Sequence, residues 1–326
     1  MSILIVKPGL SDTFQDAGRY GYQHLGINPS GAMDRLALQV ANALTGNSPT
    51  QPVLEMHFPA AEILFQADAL IALAGANFKA VINGMHLPIN QPIVVAKDSI
   101  MQFQQPAHGA RVYLCVRGGF HLNPWLGSCS TNTVCHMGGY HGRALEKGDT
   151  ISFNQYFDYT AYTAHKAFKV LPFAARMQPA QTHDGLNILP GAQFDFLTSE
   201  SREHFLHGRF IISHQSNRMG YRLQSQPLVL RKQVQLISSA VTMGTVQLLP
   251  DGQLIILMAD HQTTGGYPVI GHLLSSHLPA VAQCRAGDQI QFKLCAQQQA
   301  AEQLLQQHRY LLQLQNACTF RLRQFV

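Results

Sequence analysis

Two stretches far apart in the chain share one pattern, and it limits the kind of fold the chain can hold. Glu146-Lys147-Gly148-Asp149-Thr150-Ile151-Ser152-Phe153 and Arg285-Ala286-Gly287-Asp288-Gln289-Ile290-Gln291-Phe292 both read Gly-Asp-x-Ile-x-Phe. A Gly-Asp turn feeding alternating apolar and polar residues begins a strand with one buried face. A looser copy, Lys97-Asp98-Ser99-Ile100-Met101-Gln102-Phe103, repeats the device within the first half. The repeat predicts two related modules, each closed by this turn and strand.

Short β-type runs bounded by Gly, Pro, Asn or Asp fill most of the remainder, among them Ala80-Val81-Ile82, Gln91-Pro92-Ile93-Val94-Val95, Arg111 to Val116 and Arg209 to Ser213. Two helices stand out. Asp34 to Leu44 carries Leu36, Val40 and Leu44 at i, i+4 spacing and stops at Gly46. Ala296 to about Ala317 carries Leu304, Leu305, Leu311 and Leu312 on a Gln-rich helix, read as an apolar stripe packed on its own module. The expected fold is mainly β: tandem barrel modules over residues 1–160 and 175–326, the second ending in that helix. Tyr159 to Pro179 is the expected linker.

Only 13% of the 326 residues are charged, with 23 Lys+Arg against 18 Asp+Glu. A soluble domain usually carries about 25%, so neutral polar groups must make up much of this surface. The scattered positive surplus has no basic stripe, which argues against nucleic acid as a partner. Apolar runs such as Ala69 to Ala74 and Leu254 to Ala259 fall far below the roughly 18 residues of a membrane span. Met1 to Pro8 lacks the basic leader of a signal peptide, and the six cysteines lack paired spacing. A cytoplasmic location with reduced thiols is expected.

The P-loop, the strand-linked Gly-x-Gly-x-x-Gly, His-Glu-x-x-His and Cys-x-x-Cys are all missing, which disfavours common nucleotide and zinc enzymes. Cys129, Cys135, His136 and His141 fit no structural zinc spacing, so no metal is expected. Four polar, glycine-punctuated stretches are the candidate sites. Gln15 to Tyr22 with Gly26 to Asp34 offers Asp16 and Arg19 as an ion pair or ligand contacts, and Ser30 or Asp34 as a helix cap. Arg117 to Phe120, Leu126 to Thr131 and Gly138 to Arg143 read as tight turns or an anion cradle. Ser213 to Arg222 places Ser216, Asn217 and Arg218 in succession, a dense donor set for a small carboxylate or amide. Met258 to Tyr267 leaves the most hydrophobic strand through Asp260 into a polar loop, Gln262-Thr263-Thr264-Gly265-Gly266. A carboxylate at a buried strand's end suits acid-base work, and the loop suits an anion.

In order along the chain, these blocks resemble the family of allophanate hydrolase subunit 2 and the 5-oxoprolinase C subunit, related to the kinase-inhibitor antagonist of sporulating bacteria. The resemblance rests on Gln15-Asp16-Ala17-Gly18-Arg19, Ser30 to Asp34, Val116 to Phe120, Leu126-Gly127-Ser128 with Ser130-Thr131, Gly142 to Leu145 with Gly148-Asp149, Ser216 to Leu223, and Asp260 with Gln262 to Tyr267. It covers roughly residues 3 to 293.

The resemblance implies cyclophilin-like β-barrels, a related β-rich B-like partner chain and a third, A-like chain. Together they would open 5-oxo-L-proline to L-glutamate, with ATP bound here or by a partner and the lactam oxygen phosphorylated before water attacks. On that expectation Asp260 or Asp16 is the acid-base group, and Arg218 or Arg19 holds the substrate carboxylate. Asn217 and Gln262 orient the amide, and Thr263, Gly265 and Gly266 donate to a phosphate or oxyanion. Tyr267 and Ser30 complete the binding set. Two departures stand out: Ser239-Ala240 where an acid and a proline are expected, and Cys129 where arginine is commoner. The alternatives are a biotin-dependent carboxyltransferase acting on urea or a similar amide, with biotin arriving on another chain, and a regulator that binds an inhibitor of a sensor kinase.

Overall fold

The computed structural model describes residues 1–164, 166–177, 185–232 and 234–325. Two compact units divide the chain: Met1–Arg19, Asp34–Gln178 and Arg309–Val326 form one, and Tyr20–Met33 with Pro179–His308 the other.

The first unit holds two six-stranded antiparallel sheets. One runs Thr150–Ser152, Ser2–Lys7, Glu62–Phe65, Ile100–Phe103, Ala80–Ile82, Met85–His86, and the other Phe168–Val170, Pro92–Val95, Ala69–Asn77, His108–Val116, Val53–His57, Thr13–Gln15. Period-2 alternation points Ile3, Ile5 and Ile63 from the first sheet, and Leu54, Ile71 and Leu114 from the second, into one core. The helix Arg35–Thr45 begins with the Asp34 carboxylate accepting the Ala37 amide at 2.9 Å and ends at Gly46 with φ 73°. Capping is therefore what Asp34 does.

The second unit is an eight-stranded sheet ordered Gln289–Ile290, Phe210–Ile212, Gly220–Gln224, Leu254–Leu257, Thr245–Leu248, Val269–Leu273, Leu186–Pro190, Phe292–Leu294. Its two edge strands, Gln289–Ile290 and Phe292–Leu294, follow each other in the chain with Gln291 between them. A sheet whose first and last strands are consecutive in the chain has curled back on itself, and the result is a nearly closed barrel. Phe205, Phe210 and Phe292 meet inside it, with Phe205 and Phe292 stacked 4.9 Å apart. The chain is mainly β.

The repeated turn has the same construction in both units. Gly148 and Gly287 lie at φ 92° and 90°, and donate to the carbonyls of Ile5 and Ile212 at 2.9 and 2.8 Å. Asp149 and Asp288 each accept the amide three residues back, from Glu146 at 2.8 Å and Arg285 at 2.7 Å. In the looser copy Asp98 takes the left-handed position at φ 64° and donates to Phe65 at 2.7 Å. Ile151, Met101 and Ile290 follow these turns into the cores.

Two expectations change. The terminal helix spans Gln297–Leu322, and Leu304, Leu305 and Leu312 on it are 49%, 47% and 48% exposed, while Cys318 and Leu322 are buried. Adjacent leucines point about 100° apart on a helix, so Leu304-Leu305 and Leu311-Leu312 cannot share one narrow stripe. Docking falls to the last turns, where Leu322 joins Leu70, Val94 and Tyr159. Much of the segment read as a linker is ordered: Thr160–Thr163 is helical, and Phe168–Val170 pairs with Pro92–Val95. Its end, at Gln178 and Pro179, lies outside the described residues.

Candidate functional site

The sequence-derived residues assemble into three groups. In the first unit, Asp16 is buried and saturated: Oδ1 accepts from the Gly18 amide at 2.8 Å, Ser128 Oγ at 2.7 Å and Ser130 Oγ at 2.6 Å, and Oδ2 from the Cys129 amide at 2.6 Å. Its carboxylate organises the 128–130 loop. Arg19, 1% exposed, donates through Nη2 to the Ser130 carbonyl and lies 4.7 Å from the Trp125 ring centroid. The serines that suggested an anion cradle thus serve an internal anion. Burial, and after it the Asp16 charge, push the Cys129 thiol up to about 11, so it stays protonated near neutrality. Among the described residues no group of His, Cys, Asp and Glu is arranged to hold a metal ion.

In the second unit, Arg218 and Asp260 stand just beyond the ends of the neighbouring strands Gly220–Gln224 and Leu254–Leu257. The backbone ladder continues to them, with the Asp260 amide donating to the Arg218 carbonyl at 2.8 Å. Arg218 Nε reaches Asp260 Oδ2 at 2.7 Å, Nη2 reaches Oδ1 at 3.2 Å, and Nη2 also donates to the Gly31 carbonyl at 2.7 Å. Ser30, fully buried with φ 56°, donates to Asp260 Oδ1 at 2.6 Å, and Asn28 Nδ2 donates to the Asp260 carbonyl at 3.0 Å. A non-glycine residue at positive φ persists only where its surroundings hold it, and the Asp260 bond supplies that hold. Arg218 was expected to receive a substrate carboxylate; the carboxylate it meets belongs to Asp260.

The third group lines a cleft of about 470 Å³ on the second unit. Asn217, Gln262 and Tyr267, all singled out in the sequence, are on its wall. Asn217 Oδ1 accepts the Met219 amide at 2.8 Å, which pins the turn and fixes the plane of the side-chain amide. Gln215, Arg222, Gln247 and Asp251 also line it and were not among the predicted site residues. The signal for two of them was present, since Arg222 ends the Ser213 to Arg222 stretch and Gln247 ends Gly244-Thr245-Val246-Gln247.

Strand register explains their meeting. Arg222 and Gln247 both pair with Ile255, and Gln247 also with Val269, so the four residues form one row across four strands. Paired residues on neighbouring strands share a face. The next row, Tyr221, Ile256 and Val246, is buried in the barrel core.

Thr264–Gly265 is a short strand within the stretch expected to be a polar loop. Thr264–Gly265 pairs with Ser239–Ala240, and the Val241 amide donates to the Thr263 carbonyl at 3.2 Å. The departure at Ser239-Ala240 therefore lies directly against the polar loop. A Cβ at Gly265 would stand 2.6 Å from Gln247 Nε2. The glycine is needed there for close approach to the cleft floor, and its backbone is not in the left-handed region.

Residues 25–294 match the family described as carboxyltransferase domain, subdomain A and B. The chain is 34% identical over 302 residues to the 5-oxoprolinase C subunit of Haemophilus influenzae, covering 93% of this chain and 94% of that one. It is 33% identical over 310 residues to the 5-oxoprolinase C subunit of Escherichia coli, covering 95% and 96%. Urea amidolyase of Saccharomyces cerevisiae is 29% identical over 308 residues, which is 89% of this chain and 16% of that one. Among solved structures, Kluyveromyces lactis urea carboxylase superposes with TM-score 0.86 at 26% identity, over 96% of this chain and 29% of that chain.

Proposed function

The chain belongs to the carboxyltransferase-domain family, and on that premise we propose that it is the C-type subunit of an ATP-dependent 5-oxoprolinase, a complex that opens 5-oxo-L-proline to L-glutamate. The observation that carries the reading is near full-length correspondence in both directions with two subunits of that name. The long urea amidolyases share only a sixth or so of their length with it. The cleft supports the reading, since its side-chain amides and guanidinium suit a small amide that carries a carboxylate.

In this proposal Asn217, Gln262 and Tyr267 contact the substrate. Asp260 is the acid-base candidate, because the Ser30 hydroxyl bonded to it is a neighbour able to relay a proton. Arg218 positions Asp260. Asp16 and Arg19 shape the 128–130 loop, and Thr263, Gly265 and Gly266 belong to the segment that pairs with Ser239–Ala240 and lies against Gln247. ATP supplies the driving force for lactam opening. A small cleft lined by the Arg222 guanidinium and the Asp251 carboxylate is a poor fit for a triphosphate, so we place the nucleotide on a partner, with A-like and B-like chains completing the enzyme.

Reconstitution tests this. The purified chain combined with its partner chains, ATP and 5-oxo-L-proline should release glutamate and ADP, and a mixture lacking this chain should not. Equal release with and without it sinks the reading. The fit to urea carboxylase favours a second one, a carboxyltransferase acting on a urea-like amide with biotin carried by another chain; carboxyl transfer from a biotinylated carrier without glutamate release would establish that instead.

A further inference from the structure

Gln247 is the one cleft residue that is both completely buried and incompletely bonded. Its side chain has no exposure, Nε2 donates to the Tyr267 carbonyl at 3.4 Å, and Oε1 has no hydrogen-bond partner. The donation fixes which end of the amide is the oxygen, so what the floor lacks is an N–H donor. Buried polar atoms left without a partner are uncommon in folded proteins and mark places where a ligand or water completes the bonding.

Arg222 stands in the same row, two strands away across Ile255. At about 4.8 Å per strand the two backbones are roughly 10 Å apart, within reach of one small molecule for a long arginine and a glutamine that extend from the same face. The Arg222 side chain is exposed to the cleft, and among the described residues it makes no ion pair. Asp251, the acid on this wall, accepts the Gln253 amide at 3.0 Å within its own turn.

We propose that Gln247 and Arg222 set the substrate specificity of the cleft, Gln247 Oε1 accepting the ring N–H of a cyclic amide while the Arg222 guanidinium holds its carboxylate. This rests on the 5-oxoprolinase reading and deepens it by naming the two groups the site recognises. A ring oxygen in place of N–H presents a lone pair to Oε1 and is repelled. A lactam without a carboxylate leaves Arg222 unanswered. Gly265 allows the strand Thr264–Gly265 to lie against the Gln247 amide.

The test is calorimetric binding, without nucleotide, to the complex assembled from this chain and its partners. The ligands are 5-oxo-L-proline, the corresponding lactone carboxylate and 2-pyrrolidinone. The parent should bind 5-oxoproline at least about tenfold more tightly than either analogue, because each analogue leaves one site group unpaired. Gln247→Leu should erase the preference over the lactone and keep the preference over 2-pyrrolidinone; Arg222→Gln should do the reverse. Preferences unchanged in both variants overturn the proposal. Should Gln247→Leu fail to fold, the side-chain amide resonances of Gln247 in labelled parent protein decide: a shift on saturation with 5-oxoproline supports the assignment, and no shift overturns it.

Glutamate release in the same preparation separates the two layers. Turnover without lactam-lactone discrimination sinks this inference and keeps the function. Discrimination without turnover sinks the function and keeps the inference, and absence of both sinks both.

Discussion

Arg218 commits Nε and Nη2 to the carboxylate of Asp260, at 2.7 and 3.2 Å, across 42 residues of sequence. The Asp260 side chain is 7% exposed and that of Arg218 14%. Removing one partner leaves the other charge desolvated, which typically costs about 3–5 kcal/mol.

Arg218→Ala is therefore expected to lower the unfolding free energy by roughly 3 kcal/mol or somewhat less, given the partial exposure of the guanidinium. Asp260→Ala should cost a similar amount, and Arg218→Met with Asp260→Leu less than the two single losses added together. Denaturant unfolding of the four proteins gives the coupling. A mere tenth or so of the expected loss in Arg218→Ala would mean that the arginine is held for a ligand.

Asp12 makes stability depend on pH. It is 1% exposed, and burial raises its carboxyl from 3.8 to about 7, against the lowering effect of amide bonds from Ala61 at 2.9 Å and Gly9 at 3.0 Å. Between about pH 4 and pH 7 the native state keeps a proton that the unfolded chain has released, so this contribution is fully present at the acid end and is lost as pH rises through 7. The loss is on the order of 4 kcal/mol at most. Asp12→Asn, which keeps an acceptor for both amides, should flatten that slope in urea titrations taken from pH 4.5 to 7.5.

Gly265→Ala would put a methyl 2.6 Å from Gln247 Nε2. The close contact is with the far end of one side chain and not with backbone, so the Gln247 amide must yield. The variant should remain folded by circular dichroism while affinity for 5-oxo-L-proline falls several-fold; unaltered affinity would remove the Thr264–Gly265 strand from any role at the cleft.

The cap at Asp34 accepts the Ala37 amide at 2.9 Å, while the Asp34 amide donates to Tyr113 Oη at 2.8 Å. Asp34→Ala should cost about 1–2 kcal/mol, and Asp34→Ser should recover most of it. Equal thermal midpoints for the two variants would show that the cap contributes little.

Thiol reactivity should sort by burial. Cys135 is exposed, whereas Cys115 is fully buried with its thiol pushed up to about 12 by desolvation. Cys135 is expected to react first with a thiol reagent at pH 8, and Cys115 at a measurable rate only in denaturant. Mass mapping of the labelled sites checks the order.

Local features are what the chain of residues settles unaided. Gly148 and Gly287 had to adopt positive φ, Asp149 and Asp288 to receive the amide three residues back, and Asp34 and Gly46 to bracket a helix, because each depends on groups only a few positions away. The mainly β character follows from the same short-range chemistry. The candidate site was legible in part: Asn217, Gln262 and Tyr267 do line the cleft. Partner choice was not. That Arg218 meets Asp260, that Asp16 gathers Ser128 and Ser130, and that Arg222 and Gln247 flank Ile255 depend on strand order and register. Those are set by how each unit closes and fills its core; in the barrel a one-residue slip would turn Gln247 away from the cleft. Spacing along the chain carries no record of which strand lies beside which, so the charge on Arg218 and the unanswered oxygen of Gln247 acquire their meaning only in the folded molecule.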